Sequence, residues 1–210
     1  MGLKGWYEAH VLPRMIRCAC GAPAVAAKRA LVVPLAAGRV FELGCGGGIN
    51  QPFYDPTRVT TFAGIDPGAK LLDYAREAAR GHGWAEGVRQ GVGEAIPFDD
   101  TSFDSVVCTY TLCSVADPAQ VLAELRRVLR PGGSLFYLEH GRAPDPDVAR
   151  RQARIEPWWR PLMGNCHLTR EVGGAIAAAG FALEPLGGEY LAKMPRWAGW
   201  TEWGRAVAPG

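Results

Sequence analysis

The sequence predicts an α/β fold in one domain, with a mostly parallel sheet covered by helices on both faces. Short apolar segments alternate with amphipathic segments between residues 39 and 140. The first two apolar segments end at a glycine cluster and at an acid, respectively. No repeat or domain boundary is visible in the 210 residues, of which 48% are hydrophobic and 21% charged, so one full hydrophobic core is expected.

Seven segments rich in β-branched, aromatic and other apolar residues predict the strands. They are GRVFELG, TTFAGID, the short VRQGV, SFDSVVCTYTL, SLFYLEHG, and a closing pair, FALEPLGGEYL and WTEWGRAVAP. Repeated β-α units give right-handed crossovers and a parallel sheet, so the carboxyl ends of the strands meet at one edge. Ligands of such sheets bind at that edge.

Apolar residues at helical spacing predict the helices. Residues 1–37 show this spacing and are expected to form an amphipathic helical segment. A second helix is predicted in PGAKLLDYAREAARGHG, with Pro67 in its first turn and Gly81 beyond its end.

End signals predict two further helices. In DPAQVLAELRRVLRPGG, Asp117 is the expected N-cap, Pro118 the first helical residue, and Pro-Gly-Gly the stop. In LTREVGGAIAAAG, Thr169 is the expected cap and Gly180 the end. Residues 142–167 between them are predicted to be a polar, Pro-rich loop.

Composition excludes several classes of protein. The net charge of +2 and pI near 8.2 are too mild to indicate nucleic-acid binding. No apolar stretch approaches the roughly 20 residues of a membrane-spanning helix, and MGLKGWYEAH lacks the apolar core of a signal peptide, so cytoplasmic residence is expected. Six cysteines without zinc-site spacing predict no metal and are expected to be small buried hydrophobes: Cys18, Cys20, Cys45, Cys108, Cys113 and Cys166.

The stretch VFELGCGGGIN places Gly44, Gly46, Gly47 and Gly48 directly after a predicted strand. Because glycine costs conformational entropy on folding, the cluster indicates either a sharp turn or a ligand lying against bare backbone. The next strand ends at Asp66, about 20 residues on, where an acid commonly accepts hydrogen bonds from ribose hydroxyls. Together on a β-α-β frame, these features favour a nucleotide-like cofactor over a surface turn with a helix cap.

The glycine run departs from the dinucleotide pattern G-x-G-x-x-G, because residues 49–51 stand where the third glycine should fall. Glu42, an acid at the strand end, suits a cationic ligand better than a pyrophosphate. The pattern therefore favours S-adenosylmethionine, which carries ammonium and sulfonium charges, over NAD.

The motifs E-L-G-C-G-G-G, G-I-D-P, GEAIPFDDTSFDSVV and VLRPGGSLFYLEH follow one another over residues 39–140. In this order they resemble the class I S-adenosylmethionine-dependent methyltransferases. The resemblance implies a Rossmann-like, seven-stranded sheet whose last strand is antiparallel. It also implies that Gly44 and Gly46 pack beside the methionine part of the cofactor, and that Asp66, followed by Pro67, binds the ribose.

Relatives usually carry Asp or Asn and then Ala in the loop after strand three, whereas this chain has Val92 and Gly93 there. Backbone groups of Gly93 and Glu94 are the expected contacts to the adenine edge. After strand four, Thr109, Tyr110 and Leu112 are expected to face the sulfur end of the cofactor or to pack beside it.

The segments VVCTYTLCSV, LRPGGSLFYLEH and PWWRPLMGNCHLTRE resemble the thiol methyltransferase-like branch of the family. The resemblance implies methyl transfer to a small acceptor, with a thiol as the first candidate. An oxygen or nitrogen acceptor, including a phospholipid amine, and a non-enzymatic cofactor-binding protein are the alternatives. The sequence leaves the oligomeric state open.

A thiol acceptor attacks as the thiolate, and His140 at the end of strand five is the candidate base. Its alternative role is to order the following loop. Residues 1–37 are predicted to be a helical lid or a membrane contact, and residues 141–168 a substrate-side insertion. Candidate acceptor contacts, each with packing or capping as the alternative, are Tyr7, Trp158, Trp159, His167 and Arg170.

Overall fold

The computed structural model describes residues 2–210, which form one seven-stranded sheet flanked by helices. The strands are β1 Gly38–Leu43, β2 Val59–Asp66, β3 Val88–Gln90, β4 Phe103–Thr109, β5 Leu129–His140, β6 Ala182–Tyr190 and β7 Trp200–Val207. The order is β3-β2-β1-β4-β5-β7-β6, and the neighbours from β3 to β5 are parallel. β7 runs antiparallel to both β5 and β6, so the predicted sheet, with its antiparallel last strand, is confirmed.

Eight helices connect and precede these strands within the described residues. They are α1 Leu3–His10, α2 Leu12–Cys20, α3 Pro23–Val32, α4 Ala69–Arg80, α5 Pro118–Val128, α6 Pro146–Leu162, α7 Val172–Ala178 and α8 Arg196–Gly199. The first three lie within the segment predicted to be helical.

The core has two layers because successive side chains of a buried strand point to opposite faces of the sheet. On one face, Phe41 and Val106 pack in a cluster with residues of α5 and α7. On the other, Val40 and Val107 pack with residues of α3 and α4. The strands are apolar on both faces, as expected for a sheet covered by helices on each side.

The predicted start of α5 is confirmed. Asp117 is the N-cap, and its Oδ1 accepts hydrogen bonds from the N–H groups of Ala119 and Gln120, each at 3.0 Å. Pro118 is the first helical residue, where its missing N–H costs nothing. The helix ends at Val128, and the Pro-Gly-Gly run belongs to the beginning of β5.

The predicted loop over residues 142–167 is wrong for most of its length, because α6 runs from Pro146 to Leu162. The helix contains Pro157 and Pro161, which ordinarily signal a break in a helix. Tertiary contacts stabilise the helix despite these two prolines. Gln152 is fully buried, and its side chain accepts from the N–H of Ala143 at 2.9 Å and donates to the carbonyl of Gly141 at 3.0 Å.

Two predicted helix starts are displaced. α4 begins at Ala69, so Pro67 precedes the helix instead of lying in its first turn. Thr169 does not cap α7, whose N-cap is Glu171. The backbone N–H and the hydroxyl of Thr169 both donate to Glu156 Oε2 at 2.7 Å, which ties the segment before α7 to α6.

Among residues 2–210, no individual helix combines the length and the apolar composition of a membrane-crossing segment. The pair Leu12–Cys20 and Pro23–Leu35 meets these criteria only when the two are counted together, and they meet at an angle of 66°.

Candidate active site

A cavity of about 520 Å³ opens at the carboxyl edge of the sheet, beside the ends of β1, β2 and β4. The glycine-rich turn after β1 and the loops after β2, β3 and β4 supply one side of its lining. Helices α2 and α3 supply much of the other side. Of the predicted cofactor contacts, the structure brings eight to this lining: Glu42, Gly44, Gly46, Asp66, Pro67, Gly93, Glu94 and Thr109.

The glycine cluster is both a sharp turn and a stretch of bare backbone. Gly44 has φ +70°, and a Cβ there would lie 2.1 Å from Thr111 Oγ1, so no side chain fits. Gly46 has φ +49°, but a Cβ there would meet no atom closer than 3.8 Å. Gly44 is therefore required by packing inside the protein, whereas Gly46 leaves open space on the cavity side, where a ligand can approach the main chain.

Asp66 joins the two loops that flank the cavity. Its Oδ2 accepts the N–H of Gly46 at 3.0 Å, and its Oδ1 accepts the N–H of Gly68 at 2.8 Å. Burial raises the pKa of Asp66 although these two hydrogen bonds favour the charged form. Each carboxylate oxygen has a second lone pair, so both can also accept hydrogen bonds from ribose hydroxyls.

Glu42 lies at the centre of a buried polar network behind the glycine turn. Its Oε1 accepts from Asn50 Nδ2 at 2.8 Å and its Oε2 from the Tyr54 hydroxyl at 2.9 Å. Arg29 of α3 donates to Asn50 Oδ1 and, at 2.6 Å, to Thr109 Oγ1. Burial raises the pKa of Glu42 to about 7, opposed by the two hydrogen bonds and by the charge of Arg29.

Sequence reasoning missed Arg29, Asn50 and Tyr54. A signal for Arg29 is present, because Val25, Arg29 and Val32 share the buried face of α3 at helical spacing. A charged residue in an apolar stripe needs a partner, and here the partners come from the glycine turn and β4. Nothing in the local pattern distinguishes Asn50 or Tyr54 from ordinary loop residues.

The loop after β4 is held by Glu139 of β5, which sequence reasoning also missed. Its Oε1 accepts the N–H groups of Thr111 at 2.9 Å and Leu112 at 3.0 Å, and its Oε2 accepts that of Cys113 at 3.1 Å. Burial raises the pKa of Glu139 to about 7 against these three hydrogen bonds. Leu112, a predicted cofactor contact, is buried in the core outside the cavity lining.

The expected adenine side is formed by the loop after β3. Val92, Gly93 and Glu94 all line the cavity there. The Glu94 carboxylate also accepts the N–H groups of Ala116 at 3.1 Å and Asp117 at 3.3 Å, so it holds the residues that lead into α5.

The predicted acceptor residues lie outside the cavity lining. His140 is buried, and its Nδ1 is 3.4 Å from Cys166 Sγ. The Trp159 ring packs edge-on against Trp197, with the ring centroids 5.4 Å apart. Trp158 is 78% exposed on α6.

The other three predicted acceptor residues make structural contacts. His167 Nδ1 lies 3.2 Å from Glu156 Oε1. Arg170 donates to the backbone carbonyls of the loop after β4, including that of Val115 at 3.0 Å. The Tyr7 hydroxyl donates to the Leu162 carbonyl at 2.7 Å, which links α1 to the end of α6.

The donor set fits S-adenosylmethionine. Open backbone at Gly46 lies beside a carboxylate, Asp66, that retains acceptor capacity for a ribose. A buried guanidinium, Arg29, lines the same cavity, and its Nε has no hydrogen-bond partner among residues 2–210. An anionic group such as the cofactor's carboxylate would satisfy that charge.

Replacing Gly44 by Ala tests the packing requirement. We expect Gly44→Ala to lower the free energy of unfolding by about 2 kcal/mol or more, because the φ is left-handed and Cβ would overlap Thr111. Gly81→Ala is the matched control, since a Cβ there meets nothing within 4 Å and its φ is −58°. Urea denaturation measures both, and equal stabilities for the two variants would contradict this account.

Replacing Glu42 by Gln tests the buried carboxylate. With the pKa raised to about 7 from 4.5, the folded protein binds a proton that the unfolded chain releases between these values, so stability falls as pH rises through this range. The free energy of unfolding of the wild-type protein should fall between about pH 4.5 and pH 7. We expect this fall to be smaller in Glu42→Gln, by up to about 3 kcal/mol. Exposed Glu86→Gln is the control. Parallel stability curves for Glu42→Gln and the wild-type protein would be the contrary result.

Comparisons with known proteins agree with this geometry. A family profile described as a methyltransferase domain matches residues 41–137. The chain is 40% identical over 154 residues to thiol S-methyltransferase TMT1B of Homo sapiens, covering 70% of this chain and 62% of that protein. It is 33% identical over 124 residues to phosphatidylethanolamine N-methyltransferase of Cereibacter sphaeroides, covering 57% and 60% of the two chains. The chain thus spans about three fifths of the length of these relatives.

The fold has close counterparts among solved structures. The YcgJ protein from Bacillus subtilis superposes with a TM-score of 0.66 at 19% identity, covering 96% of this chain and 99% of that one. At this identity the likeness shows the fold alone. In its profile match, its sequence relatives and its fold, the chain thus resembles the S-adenosylmethionine-dependent methyltransferases.

Proposed function

We propose that this protein transfers the methyl group of S-adenosylmethionine to a small apolar thiol. The observation that carries the proposal is the cavity that brings Gly46, Asp66 and Arg29 together at the sheet edge. Relatives named thiol S-methyltransferase, at 39–40% identity, support the acceptor class.

Five residues of the cavity lining carry the proposed cofactor binding. Asp66 accepts hydrogen bonds from the ribose hydroxyls, and the backbone at Gly46 lies against the methionine part. Arg29 balances the carboxylate of that part, and Gly93 and Glu94 offer backbone groups to the adenine edge. When bound, the cofactor supplies a methyl group on a positively charged sulfur.

The proposed acceptor side of the cavity has apolar side chains in its lining. Leu12 and Ile16 of α2 and Val115 of the loop after β4 line it, together with the ring of Tyr110. Such a surface favours an apolar acceptor and excludes water from the path of the attacking sulfur. The acceptor must attack along the line of the bond to be broken, so its orientation in this pocket contributes to the rate.

The N-terminal helices and the insertion close this side and form the proposed lid. Leu12 and Ile16 of α2 flank Gly164, where a Cβ would come within 3.2 Å of Ile16 Cδ1. Tyr7 of α1 is bonded to the carbonyl of Leu162 at the end of α6. Residues 1–37 and 141–168 are thus linked to each other over the cavity.

A base role for His140 stays a prediction. Burial lowers the pKa of His140, but its hydrogen bond to Cys166 and the charge of that sulfur together raise it. Nδ1 is engaged by Cys166, and Nε2 is buried without a hydrogen-bond partner among residues 2–210.

Cofactor binding is tested by calorimetry with S-adenosylmethionine. We expect the wild-type protein to bind it and Asp66→Ala to weaken binding by at least about tenfold, because hydrogen bonds to a charged acceptor are lost. Asp66→Asn, which keeps the shape of the side chain, is a second variant in case Asp66→Ala loses its fold. Asp73→Ala, at an exposed position on α4, is the control and should bind normally. Absence of binding by the wild-type protein would refute the proposal.

The acceptor class is tested with methyl-labelled cofactor and a panel of alkyl thiols, phenols, small amines and phosphatidylethanolamine vesicles. We expect the highest kcat/KM for an apolar alkyl thiol. If amines, phenols or vesicle lipid are methylated and thiols are not, the proposed thiol acceptor is wrong, but the proposed methyl transfer is still supported. Cofactor binding without turnover of any acceptor would favour a non-enzymatic binder.

A further inference from the structure

Two cysteines and a histidine meet behind the cavity, at residues that the proposed methyl transfer does not use. Cys113 lies in the loop after β4, and Cys166 in the segment between α6 and α7. Their sulfurs are 3.8 Å apart, and His140 Nδ1 at the end of β5 is 3.4 Å from Cys166 Sγ. We refer to these three residues as the Cys-His cluster.

The surroundings distinguish the two thiols. The hydrogen bond with Cys113 lowers the pKa of Cys166; burial opposes this shift, and the hydrogen bond and charge of His140 add to it. The pKa of Cys113 is raised well above its usual value by the same sulfur and by burial. Cys166 is therefore the more acidic of the two thiols and the one that supplies the thiolate. A thiolate is the form of cysteine that attacks an electrophile.

Hydrogen bonds to backbone groups near both cysteines hold the two thiols in place. Glu139 accepts the N–H of Cys113 at 3.1 Å, and the N–H of His167 donates to the Cys113 carbonyl at 2.9 Å. Asn165 Nδ2 donates to the carbonyl of Ser114 at 2.8 Å. The segment around Cys166 is thus fastened to the loop around Cys113, and the sulfurs need to approach only from 3.8 Å to about 2.05 Å to form a disulfide.

The other cysteines lack this arrangement. Burial raises the pKa of Cys45 and Cys108 far above the usual value, so both stay protonated in the core. Burial also raises the pKa of Cys20. Cys18 is exposed on α2 and serves as an internal reference for an ordinary surface thiol.

From this geometry we propose that the Cys-His cluster is a site of reversible oxidation by a peroxide, with Cys166 as the attacking sulfur and Cys113 as the resolving thiol. Neither residue lines the cofactor cavity, so the proposal is independent of the proposed function. The class of substrate is a small hydroperoxide, such as hydrogen peroxide.

The proposed oxidation of the two thiols takes place in two steps, and atoms and electrons balance in each. The Cys166 thiolate attacks one oxygen of hydrogen peroxide, the O–O bond breaks, and the leaving hydroxide takes a proton to become water, giving Cys166 sulfenic acid. The Cys113 sulfur then attacks the Cys166 sulfur, the S–O bond breaks, and the departing hydroxide combines with the Cys113 proton as a second water. Two thiols are oxidised to one disulfide while one peroxide is reduced to two waters, and a dithiol reductant reverses the change.

The test treats the fully reduced, full-length protein with a small excess of hydrogen peroxide at pH 7, followed by intact mass measurement and peptide mapping. We expect the loss of two hydrogens, a cross-linked Cys113–Cys166 peptide, and recovery of the reduced mass with a dithiol. In the same wild-type sample, we expect Cys166 to be oxidised at least about tenfold faster than Cys18, because the attacking species is the thiolate.

Variants separate the two roles. In Cys113→Ser, or in Cys113→Ala if the serine variant fails to fold, oxidation should stop at Cys166 sulfenic acid, which dimedone traps. In Cys166→Ser, Cys113 should stay reduced under the same conditions, whereas the control Cys18→Ser should form the disulfide at the wild-type rate. His140→Gln should slow oxidation of Cys166. Cys18 reacting while Cys166 stays reduced, or a folded wild-type protein that yields no Cys113–Cys166 cross-link, would overturn the proposal.

Discussion

The buried carboxylate of Glu42 is the interaction on which the rest of the site depends. Glu42 and Arg29 are 1% and 3% exposed, and Asn50 connects the two by accepting from the guanidinium and donating to the carboxylate. Truncating either side chain would leave buried hydrogen-bonding groups of the network without partners, which costs far more than an exposed pair contributes. The network therefore fixes α3, and with it the N-terminal helices, against the glycine turn. A cavity at this sheet edge exists only while these elements stay together.

Glu139 fixes the loop after β4 through hydrogen bonds to its buried carboxylate, as Glu42 does for the glycine turn. By accepting three N–H groups, it sets the path of the chain from Thr111 to Cys113. Thr111 then occupies the space where Gly44 would carry a Cβ, which is why the turn after β1 begins with a glycine. The shape of the cavity thus depends on two buried acids, Glu42 on β1 and Glu139 on β5.

Local patterns predicted the parts of the molecule that depend on local physics. The strand segments, the N-cap at Asp117 and the pairing of the glycine turn with Asp66 follow from hydrophobic period, capping and the right-handed β-α-β unit. Helix α6 was missed because Pro157 and Pro161 outweigh its helical signals until burial of Gln152 is taken into account. The partner of His140 was missed because Cys166 lies 26 residues further along the chain, and only the tertiary fold brings the two together.

Residues that line the cavity come from two parts of the chain, and this division bears on the proposed acceptor choice. Most of the lining proposed to hold the cofactor, from Glu42 to Thr109, lies within residues 41–137, the region that matches the methyltransferase profile, whereas Arg29 lies outside it. On the proposed acceptor side, Tyr110 and Val115 lie inside that region, and Leu12, Ile16 and Gly164 lie outside it. In the proposed function, the carboxylate of Asp66 and the bare backbone at Gly46 hold the cofactor whatever the acceptor, whereas the fit of the acceptor depends on helices that pack over the sheet edge. Under the proposed function, differences in acceptor among related methyltransferases are expected to arise at Leu12, Ile16 and Gly164, because these residues line the cavity but take no part in the hydrogen bonds of Glu42, Asp66 or Glu139.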